Sequence, residues 1–259
     1  MGIAIQNMFD GIARRYDFLN HFLSAGRDRA WRKKAAGCLQ AGGSIKVLDL
    51  CGGTGDFWKT WASMRIPSGM PLGVIADFSL PMLQQARKKF PLTGSLPGTE
   101  SLPGTEVDSR VGVAGNGTLS RQPVPALVRM DAMKPCFKEG SFDAVLCAYG
   151  MRNLDSVTIG IDEIGRLLKP GGVFITLEFF RPTTAFTRFF YNGLAPLCIP
   201  FLGWFFSSRR QAYSYLVESI RGFKSVGEYG GLFPVRGFRN VTVIPCDFGI
   251  SHIVTAVKG

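Results

Sequence analysis

Short apolar runs alternate along the chain with segments whose apolar residues recur at helical spacing. Ile45 to Leu50 is a strand pattern that meets the glycine turn Gly52-Gly53-Thr54-Gly55, after which Asp56-Phe57-Trp58 enters a helix. Gly73 to Ala76 is a second strand, closed by Asp77. Ser79-Leu80-Pro81-Met82 then opens a helix that runs to Phe90, with a serine cap and a proline in the first turn. Further strands are predicted at Ala126–Met130 and Phe142–Ala148. A helix beginning near Val157 is stopped by Lys169-Pro170-Gly171-Gly172, and Val173–Leu177 follows as a fifth strand. Strands that alternate with helices in this way imply an α/β fold, a doubly wound and mostly parallel sheet with helices on both faces.

Two stretches break the rhythm of what otherwise reads as a single domain over residues 1–259. Residues 94–125 are rich in Gly, Pro, Ser and Thr and carry the hexamer SLPGTE twice, at 95–100 and 101–106. Such a repeat cannot bury a core, so a mobile surface insertion is expected there. Residues 179–206 are aromatic where a plain fold would pass straight to the next helix. A segment too apolar for disorder and too long for a turn predicts a substrate lid over 179–223.

Composition narrows the function classes. With 46% hydrophobic residues in 259, the chain can bury one sizeable core. Its six cysteines are scattered, without a C-x-x-C pair, and only His21 and His252 could complete a metal set, so the pattern supports neither a zinc site nor a disulfide framework. Unpaired thiols point to a reducing, cytoplasmic setting. A net charge of +11 favours anionic partners without choosing among them. The densest basic stretch, Arg27 to Lys34, is interrupted at helical spacing and is expected to be a solvated helix face. The N-terminus lacks the basic region of a secretory signal, and Gln6 stands where a myristoylation motif needs Ser or Thr. Phe189 to Phe206 is eighteen residues without a charge, yet Pro196, Pro200 and two glycines break it, which argues against a spanning helix.

The chemistry is concentrated in Val47-Leu48-Asp49-Leu50-Cys51-Gly52-Gly53-Thr54-Gly55-Asp56. In a doubly wound sheet the ligand lies beyond the carboxyl ends of the strands, and glycines in the first turn let the backbone approach it. A dinucleotide fingerprint would need a third glycine where Trp58 stands. Carboxylates at both ends of the loop would repel a pyrophosphate, whereas they suit the ammonium and sulfonium of S-adenosylmethionine. Asp77 closes the second strand 22 residues after Gly55, where a carboxylate accepts the ribose hydroxyls of an adenosine cofactor; the competing helix-cap role is filled by Ser79. Asp131-Ala132, after the third strand, is placed to meet the adenine.

With these motifs in order, the chain resembles the ubiquinone/menaquinone biosynthesis C-methyltransferase family. The resemblance is carried by Met8-Phe9-Asp10, Arg14-Arg15-Tyr16-Asp17, Asn20, Trp31, the loop Asp49 to Asp56, Ser141 to Val145 and Tyr149-Gly150-Met151-Arg152-Asn153. Beyond these come Leu168 to Gly172, Leu177-Glu178-Phe179, Tyr213 to Ile220, Gly237-Phe238 and Phe248-Gly249. It spans nearly the whole chain apart from the insertion, and the Tyr16-Asp17, Gly-Met-Arg-Asn and Tyr-Leu-x-Glu-Ser elements are the most particular to it. The resemblance implies a Rossmann-like sheet of seven strands, S-adenosylmethionine as cofactor and no metal. It places Asp49, Gly52, Gly53, Thr54, Asp77, Asp131 and Ala132 at the cofactor, and Tyr16, Asp17, Arg152 and Asn153 at the acceptor.

The reaction it implies is methylation of a polyprenylated quinol carbon: a demethylmenaquinol, or alternatively a benzoquinol, or both. A ring carbon becomes nucleophilic when a neighbouring hydroxyl loses its proton. Arg152 stays protonated and is assigned to stabilising the phenolate, while Asp17, or a water held by Tyr16 and Asn153, is assigned as base. The competing roles are a surface salt bridge from Arg152 to Asp155 or Glu178, and a plain core position for Tyr16. A stripe of Phe186, Phe189, Phe190, Leu194, Phe201, Leu202 and Phe205 could line a groove for the prenyl tail or simply pack under the lid; peripheral membrane contact at the inner face of the membrane is expected. A nucleic-acid partner is not expected: an RNA methyltransferase would want a Cys nucleophile or an amide-reading loop where Tyr149-Gly150-Met151-Arg152 stands. A non-catalytic cofactor-binding protein is the other rival, and the intact cofactor positions weigh against it.

Overall fold

The computed structural model describes residues 3–13, 16–24, 26–39, 45–64, 72–90, 107–108, 124–194 and 210–259. Five strands run parallel: β1 (Lys46–Leu50), β2 (Leu72–Asp77), β4 (Ala126–Arg129), β5 (Phe142–Ala148) and β6 (Leu168–Glu178). β8 (Ser251–Lys258) pairs antiparallel with β6, and β7 (Phe238–Cys246) antiparallel with β8. These are the seven strands expected from the resemblance. An eighth, β3 (Val107–Asp108), is two residues long and pairs antiparallel with β4, giving the order β3-β4-β2-β1-β5-β6-β8-β7. The chain leaves β1 towards β2 and β4 on one side, and β5 and β6 continue on the other. The crevice between the carboxyl ends of β1 and β5 is therefore the switch point at which such sheets bind ligands.

The helices are α1 (Ile3–Ile12), α2 (Tyr16–Leu23), α3 (Arg27–Gly37), α4 (Asp56–Ser63), α5 (Leu80–Lys89), α6 (Val157–Leu167), α7 (Ala185–Phe189), α8 (Arg210–Gly222) and α9 (Val226–Gly230). Central strands of a parallel sheet are covered on both faces, so their side chains are apolar almost throughout. One face packs Trp31, Phe57, Trp58, Trp61 and Leu83 from α3, α4 and α5 against Val47, Ile75 and Leu146. The other packs Ile161, Ile164 and Leu167 of α6 with Tyr229 and Phe233 against Leu48, Val145 and Phe174. The buried exception in β1 is Asp49.

Trp58 explains why the third fingerprint glycine is missing. Its indole is fully buried and lies so close over β2 that a Cβ on Gly73 would come within 1.9 Å of it. The close helix–strand approach that a dinucleotide fold makes with a glycine on the helix is here made with a glycine on the strand. Core burial of a tryptophan of this kind contributes roughly 3–5 kcal/mol.

The structure departs from the sequence-based expectation in two places. The Lys169-Pro170-Gly171-Gly172 segment does not separate helix from strand: α6 ends at Leu167 and β6 begins at Leu168, with an irregular register between Phe142 and Ala144 that accommodates Gly171 at φ 75. Nor is α3 simply a solvated basic face. It buries Asp28, Trp31, Arg32, Ala35 and Ala36, and it is pinned to the β7–β8 corner by Arg27 and the Trp31 indole N–H, both on Asp247.

Most of the 94–125 insertion, Arg14, Arg15 and the lid residues Phe201, Leu202 and Phe205 lie outside the described residues. The described parts of the insertion are β3 and residues 124–125. Because a two-residue edge strand adds little to a sheet, deleting residues 95–121 is expected to shift the melting temperature by no more than about 5 °C; a larger fall in a thermal scan would show that the insertion packs.

Candidate active site

Every residue assigned to the cofactor sits on the carboxyl edge of the sheet, where the switch point leaves a crevice. Two adjoining hollows open there. One is lined by Tyr16, Arg32, Asp49, Gly52, Gly53, Thr54 and Asp56. The other is lined by Leu50, Asp77, Phe78, Met130, Asp131, Ala132 and Leu154, and Cys51 borders both.

Local conformation makes this edge. Gly53 adopts φ 54, a left-handed conformation that turns its N–H onto Asp77 Oδ2 at 2.9 Å. Cys51 and Tyr149, at the ends of β1 and β5, are also left-handed, with φ 53 and 60. Conformations that cost about 1–3 kcal/mol at non-glycine residues persist where the surrounding structure over-determines them, typically at functional sites. Tyr149 is held by stacking on Phe179 with ring centroids 4.7 Å apart.

The Asp77 carboxylate accepts from the backbone N–H groups of Gly53 and Ser79, while Ser79 itself caps α5. Asp77 is thus fixed in the wall of the second hollow, tied through the Gly53 N–H to the glycine turn that lines the first. Asp49 accepts from the Trp58 N–H through Oδ2 at 3.0 Å, and its Oδ1 is buried without a hydrogen-bond partner. An orphaned carboxylate oxygen facing a hollow is what a ligand ammonium would complete, so the site fits S-adenosylmethionine. The other loop carboxylate, Asp56, is held by Lys89 at 2.5 Å.

Burial pushes Asp49 up to about 7 and Asp77 up to about 6, against hydrogen bonds from Trp58 and from Ser79 and Gly53 that lower them. In the unfolded chain both carboxyls titrate near pH 4. The folded protein therefore holds more protons between these values, and this stabilisation of the ligand-free fold is lost as pH rises from about 4 to about 7. A cationic adenosyl ligand requires the ionised forms. The thermal shift produced by S-adenosylmethionine is expected to grow from pH 5.5 to pH 7.5, and a shift independent of pH would remove both carboxylates from the ligand.

Of the residues expected at the acceptor, Tyr16, Arg152 and Asn153 lie in one neighbourhood. Arg152 follows β5 in a single 3-10 turn, Met151–Asn153, and its side chain is 6% exposed. Its Nη1 donates to Glu178 Oε1 at 2.7 Å and to the Tyr149 carbonyl at 2.8 Å, and its Nε donates to Ser219 Oγ at 3.3 Å. The ion pair weighed as a surface salt bridge is therefore a buried one, closing β6 against α8. Asn153 Nδ2 donates to the Tyr149 carbonyl, and the Tyr215 hydroxyl donates to Asn153 Oδ1 at 2.8 Å. Burial raises the Tyr16 phenol, with Asn20 and the Arg152 charge pulling the other way. Phe9 sits edge-on to both Tyr16 and Tyr215. Asp17 turns away from this group: it accepts from the Thr54 hydroxyl at 2.5 Å and pairs with Lys89 at 2.6 Å.

The sequence profile of the ubiE/COQ5 methyltransferase family matches residues 2–100 and 120–258. The chain belongs to that family. Membership makes it an S-adenosylmethionine-dependent methyltransferase. Between its two matched stretches the family profile leaves residues 101–119 unmatched, within the 94–125 insertion. Among its relatives, the Ubiquinone/menaquinone biosynthesis C-methyltransferase UbiE of Geobacter sulfurreducens is 35% identical over 100% of this chain and 90% of its own length. The demethylmenaquinone methyltransferase of Lactiplantibacillus plantarum is 32% identical over 95% of this chain and 92% of its own. A SAM-dependent methyltransferase from Aquifex aeolicus shares the fold, with a TM-score of 0.56 and 14% identity over 88% of this chain and 89% of that one.

Two members of the site were not singled out from the sequence, Arg32 and Tyr215 as the partner of Asn153, while Glu178 was named only as one of two surface partners for Arg152. Glu178 was legible as a carboxylate ending a buried strand. Tyr215 lies in a helix separated from Asn153 by 62 residues, and no local pattern connects them.

Proposed function

We propose that this methyltransferase acts on a ring carbon of a polyprenylated quinol, converting a demethylmenaquinol to a menaquinol. The observation that carries the reading is the partly buried group of Arg152, Tyr16, Asn153 and Tyr215 beside the glycine-turn hollow, which Tyr16 also lines. A ring carbon is methylated only once it is electron-rich, and loss of a neighbouring hydroxyl proton supplies that density. A guanidinium held by Glu178 meets the developing phenolate with a fixed charge in a dry site, where it counts most. The Tyr16 phenol, kept protonated by burial, remains a hydrogen-bond donor. Asn153, oriented by Tyr215 and the Tyr149 carbonyl, positions the second oxygen. Because Asp17 is engaged by Lys89 and Thr54, a water between Tyr16 and Asn153 is the better carrier for the proton. S-adenosylmethionine supplies the electrophilic methyl group when bound; the ring carbon gains the methyl and gives up its proton, and S-adenosylhomocysteine leaves.

The name of the Lactiplantibacillus relative supports a naphthoquinol acceptor, and that of the Geobacter relative keeps a benzoquinol as the second reading. Mass spectrometry of quinones from cells lacking this gene separates them. A demethylated naphthoquinone is expected to accumulate; an undermethylated benzoquinone would move the acceptor to the second reading, and unchanged quinones would overturn both.

Peripheral membrane contact fits the same substrate. Phe186, Phe189 and Phe248 are 48%, 63% and 84% exposed, with the Phe186 and Phe248 rings 5.5 Å apart, on a chain of net charge +11. Among the described residues no helix is long and apolar enough to cross a membrane. The protein is expected to float with anionic vesicles, and Phe189→Ser with Phe248→Ser to release it; equal flotation of the double variant would remove this patch from the membrane contact.

A further inference from the structure

Arg32 is a buried cation without a full set of partners. Its side chain projects from α3, the residue as a whole is 4% exposed, and it lines the glycine-turn hollow together with Asp49, Gly52, Gly53 and Thr54. Its Nη1 donates to Asp28. Asp28 has other donors as well: His21 Nδ1 at 2.7 Å and the Ser24 hydroxyl at 3.0 Å. The Arg32 guanidinium carbon lies 5.6 Å from the centroid of the Tyr149 ring, so the planar fork is held over the end of β5. Its Nε is buried with no hydrogen-bond partner. The same hollow contains the orphaned Oδ1 of Asp49. One cavity therefore holds an unmet cationic donor and an unmet anionic acceptor, both withdrawn from water. Native folds rarely leave either group alone, and to leave both in one cavity is the complement of a zwitterion.

We propose that Arg32 binds the α-carboxylate of the methionyl end of S-adenosylmethionine, while Asp49 takes the α-ammonium. The inference rests on the cofactor and not on the acceptor. It adds a binding residue contributed by α3, outside the glycine turn, and gives α3 a reason to be pinned to the β7–β8 corner through Arg27 and Trp31. A guanidinium is suited to the role because its remaining N–H groups form a planar fork that matches a carboxylate.

The test compares S-adenosylmethionine with its decarboxylated analogue, which keeps the amine, the sulfonium and the adenosine, by calorimetric titration. The wild-type protein is expected to prefer the intact ligand by roughly 10–100-fold, the range of a charged hydrogen bond. Arg32→Met should abolish that preference while leaving affinity for the decarboxylated analogue within about threefold, since only the carboxylate loses its partner. Arg32→Lys, which leaves Asp28 beside a cation if the methionine variant does not fold, should retain part of the preference. Persistence of the full preference in either variant, or an equal loss of both ligands, would assign Arg32 to structure alone and overturn the proposal. Failure of the wild type to bind either ligand would instead overturn the cofactor assignment, and the proposal with it.

Discussion

Arg152→Ala is expected to lower kcat by roughly 10²–10³ on a demethylated naphthoquinol while leaving the affinity for S-adenosylhomocysteine nearly unchanged, the pattern of a lost transition-state interaction. It is also expected to destabilise the fold. Arg152 pairs with Glu178, which is fully buried, and its removal strands a carboxylate without its cation, at a cost of about 3–5 kcal/mol. The two effects separate with a second change. Arg152→Met combined with Glu178→Gln removes both charges and should recover most of the stability, because a neutral pair has no desolvation to offset, but none of the turnover. Arg152→Lys should recover turnover partly, since a lysine keeps the charge and loses the fork that also holds the Tyr149 carbonyl and Ser219. Chemical denaturation and steady-state kinetics on the same preparations decide the matter. If the double variant turns over at the wild-type rate, Arg152 serves the fold alone, and Tyr16 and Asn153 must carry the acceptor.

The second large effect concerns the cofactor. Asp77→Ala should weaken S-adenosylmethionine binding by about 1.5–3 kcal/mol, the scale of hydrogen bonds to a charged group. Stability should move far less. The Gly53 and Ser79 N–H groups lose their acceptor, which destabilises, yet a buried carboxyl pushed up to about 6 is itself costly to keep ionised, and its removal offsets part of that loss near neutral pH. Calorimetry and a thermal scan of the ligand-free variant are the two measurements. Unchanged affinity would take Asp77 out of the site, whereas collapse of the fold would make it a structural carboxylate first.

The sequence alone determined what depends on contiguous residues. The strand, glycine turn and helix from Val47 to Trp58, the strand closing in Asp77 and the Ser79 cap are all local, and hydrophobic period with turn chemistry is enough to place them. The gathering of the expected cofactor residues on one edge follows, because the topology of a parallel sheet brings the carboxyl ends of its strands together. What each side chain does there was decided by tertiary structure. Asp49 and Asp56 flank the same loop, but Lys89 from α5 occupies Asp56 and leaves Asp49 with an open oxygen. Tyr16 and Asp17 are adjacent in α2, and helical geometry points them apart, one towards Arg152 and the other to Thr54 and Lys89. Arg152 becomes a buried, oriented charge only because Glu178, 26 residues on, ends a strand beside it. Arg32 stands in a basic stretch whose charge pattern suggests solvent, yet the docking of α3 on the sheet edge buries it. Burial and partner choice are properties of which surfaces meet. A chain read residue by residue specifies the elements and their order, and the packing of α3, α5 and α8 onto that edge then decides which charges remain open for a ligand.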